Sequence, residues 1–332
     1  MARITGLLAA LALLAAAPAI ADEGGRGFDR PGDILITDQF NNRVIEIDRA
    51  KRIVWQFGSG DPADCAPGAH SVIAPNDAER LHDGLTLISG TGTGTCPDNR
   101  VIVVDRRGRI VFQYGEAGVA GSGWNQLNTP VFAIQDTHGN FLITDQGNNR
   151  LILVDDEGRI RWSYGPAAGP GALNAPNSAE ILRNGHILIA DENNSRVLEI
   201  TRDGTIVRTI SAGLNTVAFA SRLRNGDTLI ADAGNNRVVE VDTTDRVVFS
   251  YATNTAPDSN PNPSPTGAIR LLNGDTLIAD QFNDRVIEVR PDGRIVFQYG
   301  QTNVVGNGPD RLNAPYSAVM IGQYVGVTPP AR

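Results

Sequence analysis

Residues 139–165 read GNFLITDQGNNRLILVDDEGRIRWSYG, and the unit returns at 32–58 as GDILITDQFNNRVIEIDRAKRIVWQFG and at 274–300 as GDTLIADQFNDRVIEVRPDGRIVFQYG. Related copies begin at Gly84, Gly185 and Gly226, so the six leading glycines are separated by 52, 55, 46, 41 and 48 residues. A period in the forties with three strand-like runs per copy is the mark of propeller blades. It overrides the two domains that a chain of 332 residues would suggest. The runs are short and rich in β-branched residues, as in Ile34–Thr37, Val44–Ile47 and Ile53–Trp55. Turn pairs such as Asn273-Gly274 and Asp292-Gly293 part them. Turns that tight permit only antiparallel pairing. Several runs are apolar on both faces, which suits a small sheet packed between two neighbours.

A fourth run precedes each later glycine: VIAPNDAERL (72–81), LNTPVFAIQD (127–136), LNAPNSAEIL (173–182), LNTVAFASRL (214–223) and SPTGAIRLL (264–272). A Pro, or Val217 in one copy, stands nine residues before the glycine, and Ala78, Ala133, Ala179, Ala220 and Ala268 fall at one point. A recurrent small residue is expected on the innermost strand, at the crowded axis. The first copy lacks this strand, and the missing piece appears at the other end as LNAPYSAVMI (312–321). Joining it to the N-terminal strands closes a ring and removes free strand edges. The expected fold is therefore all-β: one six-bladed propeller of four-stranded antiparallel blades over residues 22–332, closed by the C-terminal strand.

The pattern Asp38-Gln-Phe-Asn41-Asn-Arg43-Val recurs at Asp145…Arg150, Asp191…Arg196, Asp232…Arg237 and Asp280…Arg285. This D-x-x-N-x-R signature resembles the NHL repeat over essentially the whole chain after residue 21. The resemblance implies a six-bladed platform for interaction or ligand binding and, in its peptidyl-α-hydroxyglycine amidating lyase branch, a zinc enzyme. The endings IVWQFG and IVFQYG are also similar to those of bacterial quinoprotein-like and arylsulfotransferase propellers. A motif present in nearly every blade is most economically structural, with Asp and Asn holding the turn and Arg pairing with Asp. A specific site is then expected where the repeats break their own rule.

Residues 1–21 read as a secretory signal peptide, with Arg3, an apolar run over Leu7–Ala17 and the small-x-small site Ala19-Ile20-Ala21. No other stretch approaches a membrane span of ~20 apolar residues. The expected product is a soluble, monomeric protein of the periplasm or the extracellular medium. Without residues 1–21 the chain carries 28 Lys and Arg against 37 Asp and Glu, a net charge near −9. Such a surface repels phosphate backbones, so nucleic acid is not an expected partner.

Blade two departs most from the rule. Gly90 stands where the turn Asp belongs, an insertion precedes Arg100, and a second insertion spans Ser59 to Ser71. Both lie on the face where the chain enters the inner strands, and each carries one cysteine. A Cys65–Cys96 disulfide is expected, worth about 3–4 kcal/mol in the chain-entropy model. On the same face Gln39 and Phe40 of blade one match Gln281 and Phe282 of blade six. Tyr316, Asn76 and Asn177 each follow the Pro of their inner strands, and Trp124 and His70 lie in the entering loops. These residues, with Asp77, are the candidate ligand contacts.

Asp77, Glu79 and Glu180 on the inner strands are weak candidates for a cation in the channel, calcium being the suitable hard ion. Their apolar counterparts Ile134, Ile269 and Val319 argue against a full metal ring, and pairing with Arg80, Arg222 and Arg270 is the simpler expectation. His82, His138 and His186 sit at turns on the opposite face, so the three converging ligands of a catalytic zinc are not supplied. The sequence thus points, without a required cofactor, to an exported scaffold that binds a protein, peptide or glycan. The alternative is a propeller enzyme (lyase, hydrolase or arylsulfotransferase-like) with its site at the top of the central channel.

Overall fold

The computed structural model describes residues 27–323. Six four-stranded antiparallel sheets stand around a common axis. The innermost strands of blades two to six are Pro75–Arg80, Pro130–Gln135, Pro176–Ile181, Val217–Arg222 and Pro265–Arg270. Blade one takes its innermost strand from the far end of the chain: Pro315–Met320 pairs antiparallel with Ile34–Asp38, with Ile34 opposite Met320. The six-bladed ring and its closure are as the repeats imply. Residues 1–21, read as a signal peptide, lie outside the described residues. No helix among the described residues is long and apolar enough to cross a membrane.

The core is a set of apolar layers, one between each pair of neighbouring blades. Leu35, Val44 and Phe57 of blade one meet Ala78, Ile88 and Ile102 of blade two. Leu87 and Val101 of blade two meet Ala133 and Ile143 of blade three, and the pattern continues round the ring. A strand buried on both faces has no polar side to offer, which explains the unbroken apolar runs. The recurrent alanine packs into these layers, and Ala220 and Ala268 also line the axial space, where a small residue was expected. Each fully buried Val, Leu or Ile contributes about 1.5–3 kcal/mol.

The repeated turn signature latches the ring. In blade one, Asp38 Oδ2 accepts from Asn41 Nδ2 at 2.8 Å and from Arg43 Nε at 2.7 Å. Asp38 Oδ1 accepts the backbone N–H of Asn313, at the entry of its own inner strand. Asp145, Asp191 and Asp232 repeat all three bonds. The residue before the Arg adopts the left-handed conformation, φ 51° at Asn42 and Asn149, which Asn tolerates well. Its side chain accepts the backbone N–H that opens the next blade: Asn42 Oδ1 from Ala74, Asn149 Oδ1 from Ala175, Asn236 Oδ1 from Ser264. One turn therefore closes its own blade and holds the following one.

Two blades vary this device. In blade six the residue facing Asp280 Oδ1 is Pro263, which has no N–H, and that oxygen is buried without a partner. In blade two Asp98 supplies the carboxylate from the opposing strand, accepting from Ile73 N at 2.8 Å and Arg100 Nε at 2.5 Å. A Cβ on Gly90 would lie 2.7 Å from that carboxylate, so glycine there is required by Asp98. Cys65 and Cys96 form a disulfide, with Cα atoms 4.9 Å apart, joining the two insertions as expected.

Candidate functional site

Six inner strands that converge on an axis leave a space between them, and here it is a recess with a cavity volume of about 40 Å³. Each inner strand contributes the residues after its opening position. Blade two supplies Asn76, Asp77 and Glu79, blade three Phe132 and Ile134, blade five Phe219, and blade one Tyr316 and Val319. The wall is mostly apolar, and Phe132 and Phe219 meet edge-on with ring centroids 5.9 Å apart. Every strand presents its backbone hydrogen bonds to its own sheet, so side chains alone decide what the recess offers.

A polar chain spans the recess at the strand openings. Gln281 Nε2 donates to Gln39 Oε1 at 3.0 Å, and Gln39 Nε2 donates to Asn76 Oδ1 at 2.8 Å. Asn76 also bonds the hydroxyl of Tyr316, to which Asn177 Nδ2 donates from blade four at 2.7 Å. Asn177 Nδ2 and Gln146 Nε2 both donate to Glu192 Oε2, at 2.7 and 2.9 Å. Burial pushes the Tyr316 hydroxyl upward, and the Glu192 carboxylate adds to that; burial also raises Glu192 itself. The candidates Gln39, Asn76, Asn177, Gln281 and Tyr316 are thus one network joining blades one, two, four and six. Glu192 and Gln146 belong to it and escaped the sequence reading. Their signal was positional: the residue after the turn Asp is Gln39, Gln146, Glu192, Ala233 and Gln281 in five copies, and one of these is an acid.

Beyond this chain lie the inner-strand acids, and their partners differ from expectation. Arg80 pairs with Glu46, Arg222 with Glu199 at 2.9 Å, and Arg270 with Glu240 at 2.6 Å. All three acceptors stand on the preceding blade's third strand, where blade twist brings that carboxylate over the guanidinium. Asp77 is held by neutral donors instead, Ala133 N at 3.3 Å and Ser317 Oγ at 3.1 Å. Glu180 accepts from Arg222 N at 2.7 Å. Glu79 is only 8% exposed, and no group among the described residues donates a hydrogen bond to its carboxylate. Burial pushes Asp77 up to about 7. It pushes Glu79 well above the usual carboxylate range, with Asp77 and Glu180 adding repulsion. No group of three His, Cys, Asp or Glu among the described residues is disposed to hold a metal ion.

The remaining candidates lie outside the recess. Phe40 and Phe282 are 37% and 40% exposed, on neighbouring turns beside the Gln39–Gln281 bond. Trp124 is 78% exposed in its loop. His70 is exposed, with Nδ1 3.2 Å from the Gly108 carbonyl oxygen in an outer turn of blade two. None of His70, His82, His138 and His186 lines the recess. The sequence reading missed Phe132 and Phe219, because a phenylalanine in an apolar strand looks like core until its neighbours are known.

No protein-family model matches the chain, and no curated protein matches it. Among solved structures it is similar to a protein of unknown function from Bacteroides caccae, with a TM-score of 0.64 and 17% identity over 87% of this chain and 98% of that one. It is also similar to virginiamycin B lyase from Staphylococcus aureus, with a TM-score of 0.50 and 16% identity over 69% of this chain and 71% of that one. A streptogramin B lyase gives a TM-score of 0.51 and 17% identity over 71% and 70%. At these identities the likeness establishes a propeller fold and nothing finer.

Proposed function

We propose that the protein is an exported NHL-type propeller that binds a protein, peptide or glycan on the face carrying Cys65 and Cys96, seating an end group of that ligand in the axial recess. The observation that supports this most is the recess itself, a mostly apolar space with a few convergent polar groups, as ligand sites commonly have. Phe40 and Phe282 give the same face two exposed aromatic contacts, the residue type that anchors interfaces. The NHL reading is supported by the turn signature in five copies. The disulfide and the N-terminal sequence support export into an oxidising compartment.

A second reading, a propeller enzyme, is favoured by one specific observation. Asp77 and Glu79 border the recess with proton affinities raised by burial, the condition a general acid requires. Virginiamycin B lyase is an enzyme of similar fold, and a histidine-to-alanine variant of it is catalytically inactive. Here no histidine lines the recess, so any catalysis would fall to the carboxylates and to Tyr316.

The test is a thermal-shift and calorimetric screen of the mature protein against peptides and oligosaccharides, repeated on Phe132→Ala and on the Phe40→Ala/Phe282→Ala double variant. Binding lost in both variants, with the fold retained, supports the reading. Binding untouched by either variant would refute it, and turnover of a bound compound that disappears in Glu79→Gln would establish the enzyme instead.

A further inference from the structure

Burying a charge in an apolar space is costly unless the charge is paired, and a chain with a spare arginine within reach ordinarily supplies the partner. This chain places Arg80 next to Glu79 in sequence and then turns it away, between blades, onto Glu46. Asp77 and Glu79 point into the same recess, and the described residues bring no cation to either of them. Glu180 faces Glu79 from blade four and adds negative charge. The same recess carries the aromatic pair Phe132 and Phe219 and the ring of Tyr316. Aromatic faces attract cations, most strongly where water is excluded.

We infer that the axial recess is a receptor for an organic cation, an ammonium or guanidinium group on a short apolar body, whose charge is met by Glu79 and Asp77. This rests on the recess being the ligand site and names the chemical class of the group that enters it. A divalent metal fits less well. Ile134, Ile269 and Val319 hold the positions equivalent to Glu79 in three other blades, so the oxygen ligands that calcium needs are replaced there by hydrocarbon. A neutral apolar group would fill the walls and leave Glu79 without a partner. An ammonium on an aromatic or alkyl body satisfies both the acids and the wall. The titratable groups bordering the recess are Asp77, Glu79, Glu180 and Tyr316, so ionisation of Asp77 and Glu79 accompanies binding and affinity rises from pH 5 to pH 8.

The experiment is calorimetric titration of the mature protein with benzylamine and phenethylamine, and with benzyl alcohol as the neutral analogue, at pH 5 and pH 8. The expected result is amine binding at pH 8 that is at least tenfold tighter than binding of the alcohol, weaker at pH 5, and weakened at least tenfold by Glu79→Gln. Because that variant removes a buried repulsion, its melting temperature stays equal to or above that of the parent, which separates lost recognition from lost fold. Three results would overturn the inference: equal binding of amine and alcohol, amine binding unchanged in Glu79→Gln, or binding of calcium chloride with no binding of amine. If amines fail while a peptide or glycan binds and is lost in Phe132→Ala, the cation class falls and the recess stands. If Phe132→Ala leaves all binding intact, the recess falls with it.

Discussion

The turn carboxylates and the axial carboxylates are buried to a similar degree and are treated in opposite ways. Asp38 and Asp145 are fully buried, and each meets an Arg, an Asn and a backbone N–H. Among the described residues Glu79 is buried without a donor, and Asp77 has neutral donors only. A carboxylate given every partner it can use is a structural clamp. A carboxylate largely buried and short of a cation burdens the fold, and such groups concentrate at functional sites. The contrast separates the scaffold of this propeller from its candidate site better than burial or residue type does.

The largest effect should come from breaking a clamp. Arg285→Ala leaves Asp280 buried, with one oxygen already lacking a donor beside Pro263, and should destabilise the protein by about 3–5 kcal/mol in denaturant unfolding. A loss below about 1 kcal/mol would place the turn signature among weak surface pairs. Glu79→Gln should act with the opposite sign and raise the melting temperature at pH 8, since it removes a carboxyl whose ionisation burial and the neighbouring acids oppose.

The pH dependence sharpens the same contrast. Folding raises Asp77 to about 7 and Glu79 well above its ordinary value, so the folded state holds protons that the unfolded chain has released. Stability from these two groups is therefore present below the ordinary carboxylate range and lost as pH rises through their folded values. The unfolding free energy should fall from pH 5 to pH 8, and the Asp77→Asn/Glu79→Gln variant should flatten that slope. An unchanged slope would mean that the axial acids are solvated or paired. The smallest effect is expected at Pro263: Pro263→Ala gives Asp280 Oδ1 the N–H that Asp145 receives from Asn128, and should draw Asp280 down from about 6. Carbon-detected NMR titration of the carboxyl would register it.

Much of this fold was legible because a propeller repeats itself. The spacing of the glycines gave the blade count, the orphan run at 312–321 gave the closure, and the fivefold turn signature marked itself as structure. The two insertions of blade two implied the Cys65–Cys96 bond. What stayed hidden lies between blades. Arg80 was expected to neutralise the acids of its own strand, but alternation along a strand sends neighbouring side chains to opposite faces, and the twist of blade one delivers Glu46 to it. The exchange of Gly90 for Asp98 was readable only in part: the run Asp98-Asn99-Arg100 carries the three functions of the turn at compressed spacing. Tyr316 and Asn177 stood out separately, yet a bond across the axis between blades one and four is a property of the closed ring alone.

The most direct measurement is a crystal structure of residues 22–332 grown with benzylamine at pH 8. The account predicts the ammonium within hydrogen-bonding distance of the Glu79 carboxylate and the ring against Phe132 and Phe219. An empty axial recess with the amine bound elsewhere, or Glu79 found paired with an arginine, would contradict it.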